Sequence, residues 1–204
     1  MNCQKAYIIV ILISLVMSIE FSSCSMNTAV NSSNVIEAQV KRPPLTVETI
    51  DGTPDSLLVQ LVFDHISNTL PTNPDQELAS VLSLTKPQQA IYIIWWLEAE
   101  VNNGGFNQYY YNSSGQFAKL APNVLRLVGA NKFAELTQTA NNVFEKEKEQ
   151  ITKDQNGTSE GFSKSYDNNP LEKFDNQFYA LKEPLMELQV AFIRKNKKDF
   201  VTPQ

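Results

Sequence analysis

Residues 87–105 read PQQAIYIIWWLEAEVNNGG, the most apolar helical pattern of the chain outside its N-terminal segment. Apolar side chains fall on almost every side of a helix drawn through this stretch, which is typical of a central buried helix. Thr85 and Gln88 have the spacing of a capping box, which predicts where the helix begins. Gly104 and Gly105 predict its end, because glycine tolerates the left-handed geometry of helix ends. We therefore expect the other helices to pack around this one.

Helical periodicity continues on both sides of the central helix. No alternating strand pattern competes with it, so the predicted fold class is all-α, a single compact multi-helix domain. Thr53 is the expected cap of the first helix, and residues 152–170 are predicted to form a long polar loop. The predicted helices outside the central one span residues 53–70, 75–82, 106–111, 117–128, 132–148, 171–181 and 184–198.

The composition limits the function. The chain has 204 residues with 17 Lys and Arg against 22 Asp and Glu, a net charge of −5, and only two Cys and one His. Direct binding to nucleic acid is not expected, because such domains carry an excess of basic residues. Zinc and iron–sulfur sites need several Cys or His ligands. We therefore predict no metal and no other cofactor.

The N-terminus has the pattern of an export signal. Lys5 precedes an apolar run at residues 6–17, which is too short to span a membrane comfortably but has the length of a signal-peptide core. Ser22-Ser23-Cys24 follows and resembles the lipobox of bacterial lipoproteins. The resemblance implies that Cys24 is acylated and becomes the first mature residue. Ordinary signal cleavage and an uncleaved anchor are the alternatives.

This interpretation divides the chain into a signal peptide (1–23), a flexible tether rich in Ser and Asn (24–50) and a helical domain (51–204). Ser25 follows the cysteine. Lipoproteins of this pattern, without Asp at that position, tend to be sorted to the outer membrane. The predicted location is therefore the bacterial cell envelope, anchored by lipid in the outer membrane and facing the periplasm.

A distinctive signature surrounds the two glycines. It consists of an aromatic pair, a Glu-Val pair, an Asn-Gly-Gly-Phe core, a glutamine, an aromatic run and an asparagine. This pattern, within residues 57–200, resembles a bacterial helical domain of unknown function that is best known as the core of a DNA-mimic protein family. The resemblance implies one α-helical domain and, for a few relatives, imitation of DNA to block a repressor. The residues concerned are Trp95, Trp96, Glu100, Val101, Asn103, Gly104, Gly105, Phe106, Gln108, Tyr109, Tyr110, Tyr111 and Asn112.

The polar residues of the signature have two interpretations. Glu100, Asn103, Gln108 and Asn112, with Tyr109 at the wall, are candidates for binding a small ligand or a partner. The alternative is structural: the glycines turn the chain, and the amides bond exposed helix ends.

A second candidate site is acidic. Residues 43–118 contain eight acidic residues and one base, and Asp55, Asp64, Asp75 and Glu77 are the candidate acidic face of a DNA mimic. B-DNA presents one charge per about 1.7 Å of its axis, so eight acids in this stretch is a low density for a mimic. The alternative is an ordinary solvated acidic surface.

Three functions remain open. The first is a non-enzymatic, lipid-anchored binding domain of the envelope whose partner is an unknown protein or small ligand. The second is a DNA-mimic regulator that binds a DNA-binding protein through an acidic face. The third is a glycan-binding or hydrolytic domain that uses the Asn, Gln and Tyr cluster. Glu98 and Glu100 point about 200° apart on a helix and cannot converge on one bond, so we predict no enzymatic activity.

Overall fold

The computed structural model describes residues 44–201, and in this part the protein is built from α-helices and short 3₁₀ turns without a β-strand. The all-α prediction is confirmed. Short 3₁₀ turns occur at Pro74–Gln76, Ser113–Phe117 and Lys197–Asp199. The α-helices are α1 (Val47–Gly52), α2 (Asp55–Ser67), α3 (Glu77–Ser83), α4 (Lys86–Tyr111), α5 (Ala121–Val128), α6 (Asn131–Thr152), α7 (Ser159–Lys164), α8 (Glu172–Ala180) and α9 (Leu185–Lys195).

Helix α4 is the centre of the domain and contacts α2, α5, α8 and α9. Ile91, Ile94 and Leu97 are fully buried, as the apolar pattern predicts. The predicted capping box is present: the Gln88 amide donates to Thr85 Oγ1 at 3.3 Å, and the Thr85 amide donates to Gln88 Oε1 at 3.1 Å. A buried central helix with a fixed start holds the following Gly-Gly segment at a defined place in the fold.

The folded domain begins earlier than the sequence indicates. Leu45 is buried, and α1 follows directly, with Ile50 fully buried. The prediction that the tether extends to residue 50 is therefore wrong at its end, because two apolar side chains are too few to show a period. Thr53 also ends α1 instead of capping α2 through its side chain. The signal peptide and tether residues 24–43 lie outside the described residues.

Arg194 of α9 fastens α1 to the domain. Its guanidinium donates to the carbonyl oxygens of Ile50 and Thr53, each at 2.9 Å, and forms an ion pair with Asp55. These carbonyls lie at the C-terminal end of a helix, where the carbonyl groups have no partner within the helix. One side chain therefore stabilises a six-residue helix that is too short to be stable alone.

We expect Arg194→Ala to lower the free energy of unfolding by about 2 kcal/mol, because it removes charge-assisted hydrogen bonds. Amide exchange should accelerate in residues 47–53 more than in α4. The control is Lys195→Ala, since Lys195 is an exposed neighbour on the same helix. Equal exchange of α1 in both variants would show that Arg194 does not hold this helix.

The predicted polar loop at residues 152–170 contains one short helix, α7, and packs against the signature segment as described below. The described helices include none with the length and apolar character needed to cross a membrane.

Candidate functional site

The Gly-Gly pair breaks α4 into two parts. Gly104 has φ −155° and ψ 25°, and Gly105 has φ 71° and ψ −175°, so neither is helical. The helix resumes at Phe106 and continues to Tyr111. The predicted end of the helix at the glycines and the short helical turn after them are both confirmed.

Side chains from two later segments bond the backbone groups exposed by this break. The Tyr179 hydroxyl donates to the Val101 carbonyl at 2.6 Å, and the Tyr166 hydroxyl donates to the Gly104 carbonyl at 2.8 Å. On the other side of the break, the Phe106 amide donates to an Asp175 carboxylate oxygen at 2.7 Å. Breaking a helix exposes donors and acceptors that need partners, and these three side chains supply them.

Gly105 permits this close packing. A Cβ atom at this position would lie 2.3 Å from Asp175 Oδ2, and the backbone angles fall in a region that is nearly exclusive to glycine. The conformation and the contact both require a residue without a side chain.

Glu100 is the centre of a buried hydrogen-bonded cluster. Its side chain lies in the core, and the residue is 6% exposed. One carboxylate oxygen accepts from Gln108 Nε2 at 2.7 Å and from Asn112 Nδ2 at 2.8 Å. The other accepts from the Ser114 hydroxyl at 3.2 Å. Three of the five predicted binding residues thus meet one another, joined by Ser114, which sequence reasoning did not include.

The side chains of the other two predicted binding residues do not bond the Glu100 carboxylate. Asn103 is exposed, and the structure does not bring it to Glu100. Tyr109 is fully buried, and its hydroxyl has no hydrogen-bond partner among the described residues. Burial, with a smaller contribution from the Glu100 charge, raises the pKa of Tyr109 far above its usual value. The structure therefore divides the predicted set into an internal cluster, a surface amide and a core tyrosine.

Glu98 has a different environment from Glu100, as their helical spacing predicts. Its carboxylate accepts from Gln189 Nε2 of α9 at 2.8 Å. Burial raises the pKa of Glu98, and the bond from Gln189 offsets part of that rise. The two carboxylates bond different partners on different sides of α4.

The residues of the predicted acidic face have varied surroundings. Asp55 is paired with Arg194, and Asp64 accepts from Gln60 at 2.8 Å. Glu77 is exposed in part and accepts from the Tyr92 hydroxyl at 2.7 Å and from Gln116 at 2.8 Å. Asp75 is exposed and lies in the first 3₁₀ turn.

Two further acids of the same segment contribute less to the surface, because Glu100 is buried and Glu98 is partly buried. Asp51 is paired with Lys197 at 2.7 Å. The excess of acidic residues over bases in residues 43–118 is therefore reduced by bases from the C-terminal end of the chain.

Asp175 has an unusual protonation equilibrium. Burial raises its pKa to about 6, and the bond from the Phe106 amide limits the rise. The charge of Glu172, one turn away on α8, acts in the same direction as burial. Asp175 was not among the predicted site residues, because nothing in its local sequence marks it.

The raised pKa of Asp175 predicts that one contribution to the stability of the fold is lost as pH rises. The folded state binds the Asp175 proton more tightly than the unfolded chain, so the stabilisation is present near pH 4 and is lost as pH rises through about 6. We expect Asp175→Asn to match the wild type near pH 4 and to be about 1 kcal/mol more stable at pH 7.5, after discounting for solvent screening of a half-exposed group. Thermal unfolding at both pH values measures this. Parallel pH profiles for the two proteins would contradict it.

Residues 152–170 contribute more than the sequence indicates. Ser165 accepts from Asn107 Nδ2 at 2.8 Å, and Tyr166 bonds Gly104 as described.

In residues 44–201, no group of three His, Cys, Asp or Glu side chains is arranged to hold a metal ion.

Fold and site together define an all-α domain with a broken central helix whose signature side chains bond one another. A profile for the family described as DMP19-like protein matches residues 82–196, from the end of α3 to the end of α9. The chain belongs to this family, which confirms the resemblance to the DNA-mimic type of helical domain. No curated protein and no solved structure matches the chain.

Proposed function

We propose that the protein is a non-enzymatic, lipid-anchored binding domain of the bacterial cell envelope. One observation carries the non-enzymatic part: the polar side chains of the signature bond each other. Glu100 accepts from Gln108, Asn112 and Ser114, and its oxygens are thereby occupied by the protein's own donors. A general base or a nucleophile must instead reach the substrate. The same bonding argues against a glycan-binding or hydrolytic cluster at this place.

The envelope part of the proposal rests on the sequence. The apolar run at residues 6–17 and the Ser-Ser pair before Cys24 favour export and acylation. Several acyl chains hold a protein firmly on a membrane, whereas one chain gives marginal binding. With the described domain beginning at Pro44, about 20 residues of sequence lie between the lipid and the fold.

Family membership favours a second candidate, a DNA-mimic regulator that binds a DNA-binding protein. A mimic needs exposed carboxylates at spacings like those of phosphates. Asp55 is paired with Arg194, Asp51 is paired with Lys197, and Glu77 bonds Tyr92 and Gln116. These contacts argue against mimicry by these three acids.

Metabolic labelling with a clickable fatty acid distinguishes the two candidates. We expect label on the wild-type protein in the membrane fraction and none on Cys24→Ala. Cys3→Ala is the matched control, because the only other cysteine of the chain lies within the predicted signal peptide. It should be labelled like the wild type. An unlabelled wild-type protein in the cytosol would overturn the envelope proposal and favour mimicry.

A further inference from the structure

We propose that a patch beside the helix break binds an arginine side chain of a protein partner. The patch consists of Glu172, Asp175 and Tyr179 of α8 and Tyr166, and we call it the α8 patch. This inference rests on the proposed binding function and identifies both the surface and the chemistry of the partner.

The α8 patch is a rigid surface. Asp175 and Tyr179 are four residues apart on α8 and therefore lie on one face, with Glu172 three residues before Asp175. The hydroxyls of Tyr179 and Tyr166 donate to carbonyls of α4, which holds both rings in place. Yet Tyr179 is 52% exposed and Tyr166 is 38% exposed. Fixed and exposed aromatic side chains are characteristic of binding surfaces, because little conformational entropy is lost when a partner docks.

The α8 patch carries negative charge without a matching base. The ion pairs found among residues 44–201 are Lys119–Glu145, Arg194–Asp55 and Lys197–Asp51, and none includes Glu172 or Asp175. Lys173, the neighbour of Glu172, takes part in none of these ion pairs; its Nζ lies 5.0 Å from the centre of the Phe174 ring.

The protonation of Asp175 is set without a neighbouring base. Burial and the charge of Glu172 raise the pKa of Asp175, and the bond from the Phe106 amide lowers it. No basic side chain acts on this pKa. Tyr166 and Tyr179 lie close enough that the Asp175 charge raises the pKa of each, after the larger effect of burial. A half-buried carboxylate that disfavours its own charge would gain from an arriving cation.

Arginine fits this arrangement better than other ligands. Its planar guanidinium can bond a carboxylate and stack against a tyrosine ring at the same time. Lysine offers only a point charge with stronger hydration. Phosphate groups of nucleic acid or lipid would be repelled by Glu172 and Asp175. The α8 patch therefore points to a protein with an exposed arginine.

Saturation-transfer NMR on the full chain in neutral detergent tests this proposal. The probe is N-acetyl-arginine amide, and N-acetyl-citrulline amide is its uncharged counterpart. We expect the arginine probe to bind and the citrulline probe to bind at least about tenfold more weakly, because a charge-assisted hydrogen bond is lost.

Variants of the α8 patch locate the binding. Asp175→Asn should weaken the arginine probe about tenfold while the fold persists, since an Asn oxygen can still accept from the Phe106 amide. Tyr179→Leu should weaken it several-fold by removing a ring face. Glu187→Gln is the control, because Glu187 is an exposed acid on α9, outside the α8 patch. This variant should bind the arginine probe with the affinity of the wild type.

Equal affinity for both probes, no binding of the arginine probe, or wild-type affinity in Asp175→Asn would overturn the proposal. Fatty-acid labelling of Cys24 is independent of these titrations. If the protein carries the fatty-acid label but does not bind the arginine probe, the proposal for the α8 patch alone is rejected. If it is unlabelled but binds the arginine probe, the proposed location in the envelope alone is rejected.

Discussion

Gly105→Ala is expected to lower the free energy of unfolding by about 4 kcal/mol, because it adds backbone strain and an overpacked contact. The residue has φ 71° and ψ −175°, and the new Cβ would lie 2.3 Å from Asp175 Oδ2. To relieve the contact, the Asp175 carboxylate must leave the Phe106 amide. Thermal or urea unfolding measures the loss, which corresponds to a fall in melting temperature of roughly 10 °C for a domain of this size.

Two other glycines separate the causes of this effect. Gly157 also has a positive φ of 84°, but a Cβ added there would have no atom within 4 Å, so Gly157→Ala measures the backbone strain alone. Gly52 has neither a positive φ nor a neighbour within 4 Å, and Gly52→Ala should change stability little. We expect the order of loss to be Gly105, then Gly157, then Gly52. A Gly105 variant no less stable than the Gly157 variant would show that the contact with Asp175 is unimportant.

Glu100→Ala should lower the free energy of unfolding by about 3 kcal/mol, because it leaves buried donors without an acceptor. Gln108, Asn112 and Ser114 all donate to this carboxylate. The loss should be accompanied by faster amide exchange in residues 106–114. Urea unfolding and hydrogen exchange measure the two effects.

Asn103→Ala is the matched control within the same signature, because Asn103 is exposed and lies apart from the cluster. Its stability should stay within about 0.5 kcal/mol of the wild type. A stable Glu100→Ala protein would mean that the carboxylate serves a ligand and that the signature is not primarily structural. A large loss of stability in Asn103→Ala would show that this surface amide also has a structural role.

Local patterns predicted the helices well. The spacing of apolar residues reflects burial along one helix, and the Thr85–Gln88 capping box needs only neighbours in sequence. The break at Gly104 and Gly105 is likewise a local property of glycine backbones. These features could be predicted because the groups that form them lie within a few residues of each other.

The side chains that bond the backbone groups at the helix break could not be predicted from the sequence. Tyr166, Asp175 and Tyr179 lie 62 to 78 residues from the α4 groups that they bond. No local pattern distinguishes Asp175 from any other acid on a helix, although Asp175 is the one that accepts from the Phe106 amide. The identification of the Glu100 cluster succeeded in part, because Gln108 and Asn112 follow within 12 residues.

Long-range pairing also explains why charge counts along the sequence were a poor guide to the surface. Asp51 and Asp55 belong to the segment with an acidic excess, but their partners Lys197 and Arg194 come from the other end of the chain. The number of acids in a segment does not show how many of them remain unpaired after folding. For this reason the sequence alone could not decide between an acidic face and an ordinary solvated surface.

The most direct test of the proposed envelope address is the intact mass of the protein purified from the membrane fraction of its own cells. We predict a chain that begins at Cys24 and carries acyl groups, with a peptide fragment that places the added mass on that cysteine. A chain that begins at Met1, without added lipid mass and recovered from the cytosol, would contradict the proposal.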